Sequence, residues 1–232
     1  MRQNTALLVI DAQNDFHDIP NSPLPVPGAV KDTERTADFI KNHNPRTIFA
    51  SLDSHYALDI AHPLWWKNAD GSQVSPFTPM TADEIESGKY VARIDPKRSL
   101  KYVRDLEANG EFNHFIWPEH CLIGTPGQAL HPVFFNALTD WMNKNLSWVT
   151  FINKGINPFT EHFGIFRANV PLPEDSNTDV DQSIFMTLNT HDVVFLAGQA
   201  RTHCVANSLR QMLQTSPQLA SKIVVLEDCM SN

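Results

Sequence analysis

Residues 192–212, DVVFLAGQARTHCVANSLRQM, decide the fold that the sequence predicts. Residues 193–197 form an unbroken apolar run that is typical of a buried strand, and Gly198 interrupts it. Beyond the glycine, apolar residues recur at helical spacing, at Val205, Leu209, Met212 and Leu213. The stretch therefore predicts a strand that passes directly into a helix, with Cys204 in the first turn of that helix.

Cys204 would lie just past the carboxyl end of a strand, where α/β proteins build functional sites. Free backbone N–H groups converge at the start of a helix, and the helix dipole favours an anion there. The position therefore predicts a lowered pKa and a nucleophilic thiolate at Cys204. The alternative is a small buried hydrophobic residue, which is the commoner role of an isolated cysteine.

Three further apolar segments are predicted as strands, and each is followed by an ionisable residue. They are residues 5–10 followed by Asp11, residues 46–52 followed by Asp53, and residues 148–153 followed by Lys154. Asp11 alone is equally consistent with a turn residue, and Lys154 alone with a solvated lysine beside a turn glycine. Four such residues at the carboxyl ends of strands favour a common site over four separate coincidences.

Segments with helical or strand periodicity alternate along the rest of the chain. Helices are predicted at residues 29–42, 99–108, 130–142 and 181–189, and a further strand at 222–227. This alternation predicts a three-layer α/β/α architecture with a mostly parallel central sheet covered by helices on both faces. The polar, proline-containing residues 68–113 are predicted to be a functional insertion or an oligomer contact.

Composition limits the class of protein. A chain of 232 residues predicts one domain over 1–232, and the net charge of −8 argues against nucleic-acid binding. No apolar run approaches the roughly 20 residues of a membrane span. Three cysteines without the spacing of a disulfide framework predict free thiols and a cytoplasmic location.

Five short segments, spread over nearly the whole chain, carry a resemblance to a known family. They are VIDAQNDF at 9–16, DSH at 53–55, WPEHCLIGTPG at 117–127, NKG at 153–155 and AGQARTHCV at 197–205. In this order they resemble the isochorismatase-like cysteine hydrolases, and most of all the nicotinamidases. The combination of DSH with WPEHC-x-x-GT-x-G separates nicotinamidase-like members from metal-free ones. The resemblance implies an isochorismatase-like, Rossmann-like fold.

The resemblance also implies a role for each matching residue. The implied roles are a catalytic group of Asp11, Lys154 and Cys204, a substrate pocket lined by Phe16 and Trp117, and metal ligands Asp53, His55 and His120, with His62 as a further candidate. A cis peptide bond before Ala200 and an oxyanion hole from the N–H groups of Ala200 and Cys204 are implied as well. Cys121 is a soft alternative ligand, but adjacent side chains rarely reach one ion, so we expect it to pack.

The implied activity is deamidation of nicotinamide, or of a close cyclic carboxamide, through a thioester. One divalent metal ion is expected; zinc is favoured, and the mixed nitrogen and oxygen ligands also suit iron or manganese. The expected partners are a small-molecule amide and a second copy of the chain in a homo-oligomer. Two alternatives stay open: a different small amide or ring substrate, and a non-catalytic protein that binds a metal or another protein.

Three features depart from the family pattern. Arg201-Thr202 stands where the family usually has Thr-Asp, and the insertion at 68–113 is longer than in compact members. The chain also stops soon after LEDC at 226–229, where the family continues through another helix, so the C-terminus is expected to be incomplete.

Overall fold

The computed structural model describes residues 4–110 and 112–232. Its strands are β1 Thr5–Ile10, β2 Thr47–Asp53, β3 Trp66–Asn68, β4 Thr78–Met80, β5 Tyr90–Ala92, β6 His114–Ile116, β7 Thr150–Lys154, β8 Val193–Gly198 and β9 Ile223–Val225. Its α-helices are α1 Ala29–His43, α2 Ala82–Glu86, α3 Pro96–Ala108, α4 Pro132–Asn145, α5 Gln182–Asn189 and α6 Ala206–Thr215. Five strands form a central parallel sheet in the order β7-β2-β1-β8-β9.

Strand β1 shows why the sheet has helices on both faces. Ala6, Leu8 and Ile10 belong to one apolar cluster, which includes side chains of α5 and α6. Leu7 and Val9 point to the other face and pack with side chains of α1 and α4. Because successive residues of a strand face opposite sides, an unbroken apolar run is the pattern of a strand buried on both faces. The predicted three-layer α/β/α fold is confirmed.

Gly198 closes the strand that leads to Cys204. Its φ is +122°, and a Cβ atom at this position would lie 2.1 Å from the backbone oxygen of Ile10. Only a residue without a side chain allows β8 to end this close to β1. The glycine that interrupts the apolar run is therefore required by the contact between the two central strands.

The insertion packs around a second apolar cluster, which it shares with neighbouring residues such as Trp65, Trp66 and Val170. Strands β3 and β5 form one antiparallel pair, β4 and β6 form another, and α2 and α3 pack with them. Helix α3 was predicted at 99–108 and begins earlier, at Pro96, because the Asp95 side chain accepts a hydrogen bond from the Arg98 N–H at 3.2 Å. The four three-residue strands were not predicted, since such short strands carry no readable periodicity.

Several other elements also differ at their ends from the sequence prediction, by up to three residues. Strand β7 begins at Thr150 rather than at Trp148, whose side chain is 85% exposed. Helix α4 continues to Asn145, three residues past the predicted end. Within residues 4–110 and 112–232, no helix is both long enough and apolar enough to cross a membrane.

Candidate active site

The carboxyl ends of four neighbouring strands bring the predicted residues together. Lys154, at the end of β7, is paired in register with Asp53, at the end of β2. Its Nζ lies 3.1 Å from Asp11 Oδ2, 3.0 Å from Asp53 Oδ1 and 3.7 Å from Cys204 Sγ. All four side chains are buried. We call Asp11, Lys154 and Cys204 the proton-transfer group.

Asp11 is held by a side chain from the neighbouring strand. The Ser51 hydroxyl donates to Asp11 Oδ1 at 2.5 Å and accepts from the Asp11 N–H at 3.0 Å. The backbone of Asp11 is left-handed, with a φ of 47°. A non-glycine residue in this region costs of order 1–3 kcal/mol, and functional sites are one of the places where such residues cluster. Ser51 was not predicted, although Ser51, Asp53 and His55 alternate along one face of an extended segment.

Gln13 joins the ends of β1 and β2. Its Nε2 donates to the backbone oxygens of Asp53, at 2.7 Å, and Gln128, at 2.8 Å. Its Oε1 accepts the Asp53 N–H at 2.7 Å. The side chain is fully buried. Two of these hydrogen bonds fix the chain segment after Asp11 against the strand end that carries Asp53, and the third ties it to the backbone of Gln128.

Cys204 lies in a π-helical turn, Arg201–Val205, that leads directly into α6. The peptide bond between Gln199 and Ala200 is cis, as the resemblance implied. The backbone oxygen of Ala200 accepts hydrogen bonds from the N–H groups of His203 and Val205, at 3.1 and 3.2 Å. The predicted passage from strand to helix at Cys204 is confirmed, with a wider first turn than an α-helix has.

The lowered pKa predicted for Cys204 is wrong for this structure. Burial raises the pKa of the thiol well above its ordinary value, and the Lys154 ammonium opposes this rise without cancelling it. The carboxylates of Asp11 and Asp53 raise the pKa further. The start of a helix does not outweigh burial beside two carboxylates, so the resting form is the thiol and attack requires a base.

Asp11 and Lys154 have the charges needed to supply that base. Burial raises the pKa of Asp11, although the nearby Lys154 ammonium lowers it in part. The raised pKa makes the Asp11 carboxylate a better proton acceptor. For Lys154, burial lowers the pKa, but Asp11 and Asp53 outweigh it and hold the pKa well above the ordinary value. Lys154 therefore stays charged, and Asp11 is the group that can take and return a proton.

Asp53, His55 and His120 form a second cluster, which we call the metal-ligand group. One potential ligand atom from each residue lies within 4.8 Å of the other two. His55 Nε2 is 3.2 Å from Asp53 Oδ1, and His120 Nε2 is 3.5 Å from Asp53 Oδ2. Two imidazole nitrogens and a carboxylate, all buried, form a donor set that suits zinc, iron or manganese.

The two imidazole rings of the metal-ligand group are oriented by hydrogen bonds on their far side. His120 Nδ1 donates to the backbone oxygen of Pro118 at 2.8 Å, and His55 Nδ1 lies 3.1 Å from Asp59 Oδ2. With the proton on Nδ1, each ring turns its Nε2 towards Asp53. Such outer contacts are how proteins fix the tautomer of metal-binding histidines. Asp59 was not predicted, although it follows His55 by four residues.

Unsatisfied buried atoms support the fit to a cation. His55 Nε2 and His62 Nε2 are buried and lack a hydrogen-bond partner among the described residues. His62 Nδ1 bonds the Tyr56 backbone oxygen at 3.0 Å, and its ring centre lies 5.0 Å from that of His55. Burial lowers the pKa of His62 to about 2, so the ring is neutral. His62 adjoins the metal-ligand group without belonging to its tight cluster.

A cavity of about 160 Å³ connects the two groups. Cys204 lines it together with Asp53 and His120, and the predicted Phe16 and Trp117 lie in the same wall. The Phe16 ring meets the His120 ring edge-on at 5.4 Å. Ala200 also lines the cavity. Of the residues predicted for the catalytic group, oxyanion hole and substrate pocket, Cys204, Ala200, Phe16 and Trp117 line the cavity, whereas Asp11 and Lys154 do not. Lys154 reaches the cavity wall through its contact with Cys204 and contacts Asp11 in turn.

Residues in the insertion and next to it contact residues of the cavity wall. Phe77 of the insertion meets the Trp117 indole edge-on at 6.4 Å between ring centres, and Phe115, in β6 just after the insertion, packs against the same indole at 4.6 Å. The Tyr102 hydroxyl, on α3, accepts a hydrogen bond from the Glu161 N–H at 3.2 Å. Two parts of the cavity wall are thus held by residues of the insertion.

Several residues of the cavity wall were not predicted, among them Glu161, Phe163 and His203. His203 precedes Cys204 and meets Trp117 edge-on at 5.4 Å. Glu161 and Phe163 lie in the irregular segment after β7, where no periodicity indicates which side chains turn inward. The one available signal was an acidic residue within an otherwise apolar, aromatic stretch.

No model of a known protein family matches the chain, and no curated protein matches it. Solved structures do match. A nicotinamidase and pyrazinamidase from Acinetobacter baumanii has 20% identity and a TM-score of 0.64, covering 99% of this chain and 85% of its own. The yeast nicotinamidase also has 20% identity and a TM-score of 0.64, with 98% and 88% covered. A Pyrococcus horikoshii pyrazinamidase in complex with zinc has 18% identity and a TM-score of 0.53, with 99% and 87% covered.

An isochorismatase-like hydrolase from Alkaliphilus metalliredigens also matches, at 15% identity and a TM-score of 0.52, with 98% of this chain and 82% of its own covered. These proteins are the kind that the five sequence segments resemble, and their likeness to this chain extends over nearly its full length. The fold implied by the resemblance is therefore confirmed: the chain has the isochorismatase-like fold that nicotinamidases share.

Proposed function

We propose that this protein is a metal-assisted cysteine amidohydrolase that releases ammonia from nicotinamide or a close cyclic carboxamide. The observation that carries the proposal is the position of Lys154, whose Nζ lies 3.1 Å from Asp11 and 3.7 Å from Cys204 beside a cavity lined by two metal-ligand residues. A nucleophile, a proton acceptor and a permanent positive charge are the parts that cysteine-dependent acyl transfer needs.

The first half of the reaction forms a thioester. Asp11 takes the proton of the Cys204 thiol as sulfur attacks the amide carbonyl carbon. The N–H groups of Ala200 and Cys204 stabilise the negative charge that develops on the carbonyl oxygen. Lys154 offsets the negative charge that moves between sulfur and Asp11. Because the thiol is protonated at rest, the proton transfer belongs to the attack itself.

The second half returns the enzyme to its starting state. Asp11 gives its proton to the amide nitrogen, the carbon–nitrogen bond breaks, and ammonia leaves. Water then adds to the thioester, with Asp11 again accepting a proton, and the acid leaves as the Cys204 thiol re-forms. The sum is one amide and one water converted to one acid and one ammonia.

Asp53, His55 and His120 would hold the metal ion, with His62 as an additional ligand candidate. When bound, the ion supplies a positively charged point of attachment for a ring nitrogen or a water at one end of the cavity. Zinc is the ion we propose, since the donor set suits it and a structurally similar pyrazinamidase is a zinc complex. Iron and manganese are the alternatives.

The shape of the cavity favours a small ring. Phe16 and Trp117 bring aromatic surface into a space of about 160 Å³, with Cys204, Asp53 and His120 in the same wall. A planar ring with an exocyclic carboxamide could stack on the aromatic side chains while its carbonyl carbon meets sulfur. A different small amide is the second candidate, because residues of the insertion help to shape the wall.

Ammonia release tests the proposal. Metal content is measured first, and about one divalent ion per chain is expected. The protein is then assayed on nicotinamide, pyrazinamide and glutamine. We expect release from both ring amides and little from glutamine. Full metal content with activity on a linear amide alone would favour the second candidate, and an inert protein with full metal content would contradict amide hydrolysis altogether.

A further inference from the structure

Asp32 is a buried carboxylate that belongs to neither the proton-transfer group nor the metal-ligand group. It lies in the first turn of α1 and is 1% exposed. Its Oδ2 accepts a hydrogen bond from Gln199 Nε2 at 2.9 Å, and its Oδ1 pairs with the Arg35 guanidinium. A buried ion pair adds little net stability, so its retention points to the geometry that it imposes on Gln199.

Gln199, the residue before Ala200, uses both ends of its buried side-chain amide. Its Nε2 donates to Asp32, and its Oε1 accepts the Ser231 N–H at 3.2 Å. Because a carboxylate only accepts and a backbone N–H only donates, the amide fits these neighbours in a single orientation. The backbone N–H of Gln199 also donates to the Ile10 oxygen at 2.9 Å. Gln199 is therefore held against α1, β1 and the segment that contains Ser231.

The residues that follow Gln199 are held as well. The backbone oxygen of Ala200 accepts two N–H groups of the π-helical turn, and the Arg201 N–H donates to the Ser231 oxygen at 2.8 Å. Ala200 itself lines the cavity. Its N–H shares one planar peptide unit with the carbonyl group of Gln199, so the position of Gln199 sets the direction of that N–H. In the proposed reaction this N–H stabilises the charge that develops on the carbonyl oxygen.

We propose that Asp32 is a positioning residue for the reaction. Through its hydrogen bond with Gln199, it holds the Ala200 N–H at the place where the carbonyl oxygen becomes negatively charged. The assignment rests on the proposed function. Its physical basis is that a donor must already be in place when charge develops, so a small displacement of Ala200 lowers the rate of reaction without removing any reacting group.

Steady-state kinetics and thiol labelling of the metal-loaded protein test the assignment. Asp32→Leu removes the acceptor for Gln199, and we expect kcat for nicotinamide to fall by about 10- to 100-fold. The dissociation constant of nicotinamide, measured in the Cys204→Ala background, should change by less than about twofold, since the bound substrate carries no oxyanion. Iodoacetamide alkylates Cys204 without forming an oxyanion, so the rate of alkylation should stay close to that of the unaltered protein.

Two further variants separate the hydrogen bond from the ion pair. Asp32→Asn keeps an oxygen acceptor for Gln199 and should restore most of the rate, although it lacks the charge that pairs with Arg35. Arg35→Ala removes the ion pair and leaves the contact with Gln199, so kcat should stay close to that of the unaltered protein. If Asp32→Leu does not fold, Gln199→Leu breaks the same contact from the other side.

The outcomes distinguish this assignment from the proposed function. A folded Asp32→Leu protein with an unchanged kcat would overturn the role of Asp32 alone. A parallel fall in kcat and in the rate of alkylation would also overturn it, because a general loss of structure at the cavity explains both. The same holds if Arg35→Ala loses as much kcat as Asp32→Leu. No ammonia release from any ring amide by the unaltered chain would instead overturn the proposed function, and the assignment with it.

Discussion

The proton-transfer group and the metal-ligand group lie side by side at the same edge of the sheet, yet they differ in how their negative charge is balanced. In the first group, Lys154 is a cation within 3.1 Å of Asp11 and 3.7 Å of Cys204. In the second group, His55 Nε2 lies 3.2 Å from Asp53 Oδ1 and is buried without a hydrogen-bond partner among the described residues. The first group is complete within the polypeptide, whereas the second has the form of a site that binds a cation.

This difference indicates that the two groups should respond separately to mutation. Substitutions in the proton-transfer group should remove chemistry and leave the metal bound. Substitutions in the metal-ligand group should release the metal and leave the reactivity of the cysteine largely in place. Asp53 contacts both groups and is therefore unsuitable for separating them.

The largest effect is expected for Cys204→Ala. Turnover should fall by about 10⁴-fold or more, because no other side chain can form the thioester. Metal content and the thermal unfolding midpoint should stay close to those of the unaltered protein, as one small buried side chain replaces another. Cys229→Ala, at a buried cysteine away from the cavity, is the matched control and should keep its activity. Loss of metal in Cys204→Ala would show that the two groups are not separable.

Asp11→Asn should lower activity by roughly 10²- to 10⁴-fold, since the proton acceptor is lost. The same substitution should raise the reactivity of the Cys204 thiol rather than lower it. The Asp11 carboxylate raises the pKa of Cys204, so its removal beside the retained Lys154 should lower that pKa and speed alkylation at neutral pH. The sequence alone predicts a lowered pKa for the Cys204 thiol, and that prediction would instead lead to slower alkylation in Asp11→Asn.

The rate of iodoacetamide labelling as a function of pH shows whether Asp11→Asn raises or lowers the pKa of the Cys204 thiol. Asp38→Asn, on the exposed side of α1, serves as the control. An alkylation profile that moves to higher pH in Asp11→Asn would refute the arrangement of charges described for the proton-transfer group.

His120→Ala should act on the metal. We expect the bound ion to be lost and activity to fall by about 10- to 100-fold, while Cys204 alkylates at an ordinary rate. Metal content of the unaltered protein should also fall as the pH is lowered. Burial opposes a charge on His55, but Asp53 and Asp59 raise its pKa well above the ordinary value, so protons compete strongly with the ion.

Inductively coupled plasma analysis after dialysis at several pH values measures both effects on metal content. His43→Ala, an exposed histidine at the end of α1, should bind the ion normally. Full metal content in His120→Ala would remove His120 from the ligand set, and metal content that does not change with pH would contradict competition at His55.

The smallest effect is expected for Trp117→Ala, which should raise the KM for nicotinamide by about tenfold with a lesser change in kcat, because it removes stacking surface rather than a reacting group. Trp148→Ala, at an indole that is 85% exposed, is the control for loss of a tryptophan. A drop confined to kcat would indicate that Trp117 positions the reacting atoms instead of binding the ring.

The sequence predicted those parts of the molecule in which a local pattern determines the structure. The strands that carry Asp11, Asp53 and Cys204 are buried on both faces, and an unbroken apolar run records that directly. The pKa of Cys204 could not be predicted from a local pattern, because it depends on burial and on the carboxylates of Asp11 and Asp53 at the ends of other strands. Glu161 escaped prediction for the same reason, since tertiary contacts alone turn it inward.

Gln13 has a consequence for how such a protein could change over time. Its amide ties the end of β1 to the backbone at Asp53 and, through the same nitrogen, to the backbone oxygen of Gln128. The spacing of the chemical groups is thus set by main-chain contacts, whereas side chains of irregular segments, among them Glu161 and Phe163 after β7, supply much of the cavity wall. New substrates could be acquired by exchanging wall residues while that spacing, and with it the reaction, is preserved.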